Sequence, residues 1–207
     1  MSQPRTERSY RGMDLETRVA ARRRALIETG LDCLHADGLA GVSVRSICAR
    51  ARLTPRYFYE SFADLDELLV AVIDTVADEV AAACVAAIAS SPPELAKQVR
   101  ALVDAGYGVV AGDPRKATAI LVAAAGHGPL VDRWHRIVMD FADIALDALP
   151  ALGALTRSDR TAAKATAMFL IGGAAEVISG VLAGSLPLSR AALVDQVSAM
   201  WVAVLSS

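Results

Sequence analysis

The chain has 207 residues, enough for one or two domains with a sizeable core. Hydrophobic residues make up 54% and aromatics only 5%, so the core must be built mainly from alanine, valine and leucine. Alanine abundance with few β-branched alternations favours closely packed helices and predicts an all-α protein. The net charge of −2 hides an asymmetry: residues 1–62 hold eleven arginines against seven acids, and residues 63–207 hold ten basic against sixteen acidic groups.

Residues 1–14 are polar and carry Arg5, Arg8 and Arg11. They are expected to form a flexible arm, either a solvated tail or a reach into the minor groove or backbone of a duplex. The first helix is expected over 16–37, with Val19, Leu26, Ile27, Leu31 and Leu34 as its buried stripe and Gly38 as its stop. Arg22, Arg23 and Arg24 are consecutive and fan around that helix, so one or two can meet phosphate and the rest are solvated.

The stretch 43–69, SVRSICARARLTPRYFYESFADLDELL, reads as two short helices about a tight turn, then the start of a longer helix. Ser43 can cap the first, and Val44, Ile47 and Ala51 supply its buried side. Ala51-Arg52-Leu53 makes the turn. Thr54 caps the second helix, with Pro55 at the first helical position, where its missing N–H costs nothing. That helix, about two turns long, carries Arg56, Tyr57, Phe58, Tyr59 and Phe62, of which Phe58 and Phe62 are read as core. Asp64 and Glu67 form a capping box for the helix that follows. Two helices crossing at such a turn are what a DNA-binding helix-turn-helix requires. Duplex phosphate attracts Arg45, Arg50, Arg52 and Arg56 wherever they project. Arg56 and Tyr57, early on the second helix, are candidates for base edges, since arginine can fork to guanine and tyrosine can pack on a thymine methyl or bond a base.

This segment resembles the DNA-binding domain of the TetR family of bacterial transcriptional regulators. The likeness rests on the capped helix around Ile47, Leu53-Thr54, the aromatic-rich recognition helix with Tyr59 and Phe62, and Leu68-Leu69; residues 15–70 carry nearly all of it. The family usually has glycine where Arg52 stands and lysine where Leu65 stands. Arg52 is therefore expected in a left-handed conformation, at roughly 1–2 kcal/mol. The resemblance implies hydroxyl contacts from Thr54 and Tyr59 to phosphate, Tyr59 having packing as its alternative. It also implies a small-molecule effector, usually one that relieves repression, and a homodimer in which the last two long helices pair with their copies as a four-helix bundle.

Further along, a helix over 65–89 buries Leu68, Leu69, Val72, Ile73, Val76 and Val80 and links the head, 1–62, to the body, 63–207. Ser91 and Glu94 suggest a capping box for the next helix, which runs to about 111. Gly112-Asp113-Pro114 stops and restarts the chain, and Gly126-His127-Gly128-Pro129 turns it again. Helices over 129–149, 158–183 and 189–205 follow. The stretch 165–189 is apolar enough to ask about a membrane, but Glu176, two adjacent glycines and Pro187 argue against a span. Gly172, Gly173, Ala174, Gly180 and Ala183 allow close helix approach, and the apolar final helix (Leu193, Val197, Met200, Trp201, Val204) favours dimerisation over exposure.

No nucleophile–base pair, carboxylate pair, phosphate-cradling glycine loop or metal spacing occurs, so no catalytic residue, cofactor or metal is expected. His35, His127 and His135 stand apart, and Cys33, Cys48 and Cys84 form no CxxC. Reduced thiols and, with no signal peptide at the start, a cytoplasmic location are expected. An effector pocket is expected among residues 96–169, with Tyr107, His127, Trp134, His135, Met139 and Met168 as its distinctive side chains. Glu176 is either a pocket carboxylate or a dimer-interface partner. The reading is thus an all-α, homodimeric regulator with a helix-turn-helix head, binding an inverted-repeat operator in double-stranded DNA and sensing a small hydrophobic molecule. The alternatives are a helical protein-binding module and, less favoured, an enzyme.

Overall fold

The computed structural model describes residues 6–126, 128–149 and 159–206, and every regular element among them is an α-helix. In chain order these are α1 (Thr6–Gly41), α2 (Val44–Ala51), α3 (Pro55–Tyr59), α4 (Leu65–Ser90), α5 (Leu95–Ala111), α6 (Pro114–Ala124), α7 (Pro129–Ala148), α8 (Arg160–Leu182) and α9 (Arg190–Leu205). The chain divides into two compact units, Met1–Val72 and Ile73–Ser207, with the boundary inside α4.

Helix α1 begins at Thr6 rather than near residue 16, so residues 6–14 of the expected flexible arm are helical; Arg5 lies outside the described residues. Between Thr6 and Glu16 only Gly12 is a poor helix former, and one glycine costs about 1 kcal/mol, too little to end a helix by itself. At the other end, Gly38 (φ 65°, ψ 173°) breaks the helical geometry where the stop was expected. The head's core is Leu26, Leu31 and Leu34 of α1, Ile47 and Cys48 of α2, Phe58 and Phe62 around α3, and Leu68 and Leu69 of α4, all buried. Val19 and Ile27, expected in the same stripe, are half-buried.

The caps explain why these short helices start where they do. Ser43 Oγ accepts from the Ser46 N–H (3.1 Å), and Ser46 Oγ accepts from the Ser43 N–H (3.0 Å), a reciprocal box built with serine in place of glutamate. Arg52 ends α2 in the left-handed region (φ 54°, ψ 39°), as its place in the turn requires. Arg52→Gly is expected to stabilise the head by about 0.5–1 kcal/mol, the relieved strain less the extra chain entropy of glycine; urea denaturation of the two proteins measures it.

Two expected caps are built differently. Thr54 occupies the N-cap position of α3 in extended geometry, but its side chain makes no capping hydrogen bond. The Tyr57 N–H that would serve it already donates to the Thr54 carbonyl (3.0 Å). Regular helix in α3 also stops at Tyr59, with turns carrying the chain to Phe62, so it is shorter than two turns. Ser91 does not open α5; its hydroxyl donates to the Ala87 carbonyl (2.7 Å) and closes α4, while Glu94 is the N-cap of α5. Pro93 lacks one of the two N–H groups a cap at Ser91 would use, and the other, on Glu94, donates to the Pro92 carbonyl (2.7 Å) instead. The Asp64 cap forms, accepting from the Glu67 N–H (2.8 Å), and Glu67 reaches back to the Ala63 N–H (2.6 Å).

The body core joins Val99 and Val103 of α5, Ala142 and Leu146 of α7, Ala163, Ala167 and Leu170 of α8, and Leu193, Val197 and Trp201 of α9. Small residues on α8 let the helices pack closely, which is what an alanine-rich composition provides. Ion pairs tie the periphery: Asp104 with Arg190 (2.7 Å), Lys164 with Asp143 (2.7 Å), Arg100 with Asp195, Glu79 with Lys116, and Asp74 with Arg133. Asp159 caps α8, accepting from Thr161 and Ala162 N–H, and Ser189 caps α9; Ser158, the expected start of α8, lies outside the described residues.

Asp113 caps α6, accepting from the Arg115 N–H (3.0 Å) and from its guanidinium (2.8 Å). Hydrogen bonding to that side chain is the main reason its carboxyl is held down to about 2, against an ordinary 3.8. The folded value lies below the unfolded one, so the stabilisation is whole above the ordinary value and is lost as pH falls from 3.8 towards 2. Asp113→Ala should therefore cost about 1 kcal/mol at neutral pH. Urea denaturation across the acid range should show that difference shrinking.

Candidate nucleic-acid interface and body cavity

Helix α3 is held by buried aromatics and by arginines of α1. Phe58 is fully buried and its ring lies 5.9 Å from that of Phe62. Arg23 lies over the Phe62 ring (4.1 Å to the centroid) and donates to the Ser61 carbonyl (3.1 Å). Arg22 lies over the Tyr57 ring (4.7 Å) and pairs with Glu60 (3.6 Å), its Nε buried with no hydrogen-bond partner among the described residues. Sequence reasoning read these arginines as phosphate or solvent contacts and missed this role. The signal available was consecutive arginines on a helix whose neighbour is aromatic-rich, the setting in which cation–π stacking is found.

With α3 anchored in this way, its other face is open. Arg45, Arg52, Thr54, Pro55 and Arg56 are exposed. Tyr59 is 59% exposed and meets Phe58 edge-on (5.4 Å), so its ring rests on the core while most of it faces solvent. Tyr57 is 37% exposed, held beneath Arg22. Thr54, Pro55, Arg56, Tyr57 and Tyr59 are thus exposed at the start of and along α3, and Arg45 is exposed in the first turn of α2. Arg45 and Arg52 carry no ion pair among the described residues, whereas Arg50 is paired with Asp37 (3.0 Å) and Arg56 with Glu60 (3.1 Å). An exposed pair such as Arg56–Glu60 is worth less than about 1 kcal/mol, so a phosphate or guanine can displace the glutamate.

The body holds a half-open cavity of about 130 Å³. Its wall includes Ala77, Val80 and Cys84 of α4, Gly106 of α5, Ile120 of α6, Trp134 and Ile137 of α7, Ile178 of α8 and Trp201 of α9. Gly106 allows α4 and α5 to meet there: a Cβ at that position would lie 3.2 Å from Cys84 Sγ. Cys84 donates to the Leu102 carbonyl (3.4 Å), and burial pushes its thiol up to about 11.

Of the residues expected around an effector, the wall takes Trp134. Tyr107 and Met168 pack against the body core, Met139 is half-buried away from the lining, and His135 and Glu176 are exposed. His127 lies outside the described residues. Four of these residues are neighbours of wall residues: Tyr107 follows Gly106, His135 follows Trp134, Met139 follows Val138 and Glu176 follows Ala175. One step along a helix turns a side chain by about 100°, enough to move it off the wall. Chemical distinctiveness does not report helix phase.

No protein-family model matches the sequence, and no curated protein matches it. Among solved structures the fold has many relatives. The fatty acid degradation regulator FadR of Bacillus halodurans is similar with a TM-score of 0.69 at 12% identity, over 86% of this chain and 97% of that one. A TetR-like transcriptional regulator from Rhodococcus sp. RHA1 gives 0.64 at 17%, over 91% and 98%. The multidrug binding protein EbrR, complexed with imidazole, gives 0.63 at 20%, over 86% and 93%. The fold is TetR-like, and these structural neighbours span most of the chain.

Proposed function

We propose that this protein is a DNA-binding transcriptional regulator acting as a homodimer on an inverted-repeat operator in the cytoplasm, released by a small hydrophobic effector. The observation that carries the reading is the division of labour on α3: Phe58 is buried while Arg56, Tyr57 and Tyr59 are exposed, as are Arg45 of α2 and Arg52 of the turn. In this reading Arg45, Thr54 and Tyr59 hold phosphate, and Arg56 and Tyr57 read bases. Thr54 has no capping hydrogen bond to make, which favours its hydroxyl for that purpose. The names of the structural neighbours, regulators and a multidrug binding protein, lend support to both halves of the proposal.

Dimerisation is favoured by α8 and α9. By length and composition α8 would pass for a membrane span, yet few of its residues are buried within the chain. Phe169 is 72% exposed, Met200 and Val204 are exposed on α9, and a Cβ at Gly172 or Gly173 would meet nothing within 4 Å. A second copy covering that face satisfies it and brings two heads to one duplex.

Coupling between effector and DNA runs, on this account, through α4. The helix gives Ala77, Val80 and Cys84 to the cavity wall, and its Asp74 and Glu79 pair with Arg133 of α7 and Lys116 of α6. A ligand that prefers a wider spacing of these helices shifts α4, and its leverage equals its differential affinity for the two states.

Selection of DNA from a random pool by the full-length protein, followed by footprinting, tests the proposal. Enrichment of an inverted repeat with two protected patches on one face of the duplex is expected. Failure to enrich any sequence would remove the operator from the account.

A further inference from the structure

The cavity's chemistry narrows the class of molecule that fits it. We infer that the body cavity binds compact, uncharged, apolar molecules of about benzene to indole size and rejects carboxylates and ammonium ions of the same shape. This deepens the effector reading above and rests on it for its biological meaning, though not for its physical basis.

Three observations carry it. Among the described residues, the wall holds no carboxylate, ammonium, guanidinium, imidazole, hydroxyl or amide side chain; its one ionisable group is the Cys84 thiol. That thiol already donates to Leu102, and burial keeps it neutral at physiological pH. An ion entering such a wall loses its water and gains no counter-charge, a cost that ordinarily excludes it.

Size is the second constraint. At about 130 Å³ the cavity is close to the roughly 150 Å³ apolar cavity that, in another protein, stays dry and binds benzene or xenon. A water molecule needs two to four polar partners to settle in such a space, and the wall does not supply them. A neutral guest therefore displaces little ordered water and recovers dispersion contacts the empty space lacks.

Shape is the third. Trp134, Trp201 and Phe141 bring flat aromatic surface to a wall otherwise made of alanine, valine, leucine and isoleucine side chains, with Gly106 and Cys84 beside them. Flat rings stack on such surface, and aromatic pairs gain beyond their area burial. A long acyl chain with an ionised head, by contrast, finds no anchor for that head on the wall.

The test uses the full-length protein without DNA, with toluene, indole, benzoate and benzylamine as probes at neutral pH. The chain's two tryptophans both line the cavity, so their emission reports occupancy directly, with calorimetry as the second measurement because indole itself fluoresces. Toluene and indole should give saturable binding, and benzoate and benzylamine should bind at least 30-fold more weakly. Ala175→Leu, which fills the wall, should weaken toluene at least 10-fold while leaving a cooperative thermal transition; Val80→Phe is the second filling variant should the first unfold. Equal binding of a charged probe, no saturable binding of either neutral one, or undiminished toluene binding in both folded filling variants would overturn the inference. A separate measurement of DNA affinity keeps the two readings apart. Toluene binding without DNA release supports the ligand class and contradicts effector control, whereas DNA binding with no binding of either neutral probe overturns the ligand class and leaves the DNA-binding reading standing.

Discussion

Phe58→Ala is expected to melt the head while Tyr59→Ala leaves it folded. The two residues are adjacent and both aromatic, but Phe58 is 0% exposed and Tyr59 is 59% exposed. Emptying a buried phenylalanine site costs about 3–5 kcal/mol, because transfer energy is lost and the cavity collapses only in part. The head has few other anchors for α3, since Thr54 does not cap it and regular helix covers only Pro55–Tyr59. An exposed tyrosine away from such constraints costs less than about 1 kcal/mol. Hydrogen exchange of the Ile47 and Phe62 amides, bonded to the Ser43 and Phe58 carbonyls at 3.0 and 2.9 Å, measures the difference within the intact protein. Protection should be lost by more than a hundredfold in the first variant and by less than tenfold in the second. Comparable losses in both would mean that Phe58 is not the anchor.

Phe169→Asp should dissociate the dimer without unfolding the subunit. The side chain is 72% exposed in the single chain, so its replacement leaves the subunit's own stability within about 0.5 kcal/mol. In a two-fold interface the same substitution acts twice. Losing about 2 kcal/mol at each copy of an apolar anchor amounts to about 4 kcal/mol, or roughly a thousandfold in the dimer dissociation constant. Sedimentation velocity across a dilution series reads this directly. A variant that stays dimeric at the concentrations where the wild type does would move the interface away from α8, and a monomeric wild type would remove it altogether.

Local chemistry carried more of the fold into the sequence than tertiary direction did. Gly38, Arg52, Asp64, Asp113 and Ser189 sit at the breaks and caps expected of them because each acts within a few residues of itself. Where two local solutions compete, the outcome depends on donors the pattern does not weigh: Pro93 has no N–H to give Ser91 and the Glu94 N–H goes to the Pro92 carbonyl, while the backbone turn at Thr54 takes the N–H its side chain would have used. The candidate DNA face was legible because burial of Phe58 and Phe62 fixes the phase of α3, leaving Arg56 and Tyr59 exposed. No such anchor was visible in the body. There the wall is lined largely by alanine, valine and isoleucine, ordinary core residues that give no sign of bordering empty space, and the more distinctive Tyr107, His135 and Glu176 each stand one helical step away. Arg22 and Arg23 show the same limit from the other side, since a charge count cannot tell a stacked arginine from a solvated one.

The central claim, that the outer face of the helix-turn-helix binds duplex DNA and reads its sequence, is tested most directly by titrating salt against affinity for the selected site. Arg45 and Arg52 in two subunits predict a slope of log K on log salt of about −4 or steeper, at nearly one unit per phosphate. Arg45→Ala should make it shallower by about two units in the dimer. Arg56→Ala should instead leave the slope nearly unchanged and lower discrimination against altered sites by about 1–3 kcal/mol per half-site. A flat salt dependence, or an Arg56→Ala protein that distinguishes sites as well as the wild type, would contradict the account.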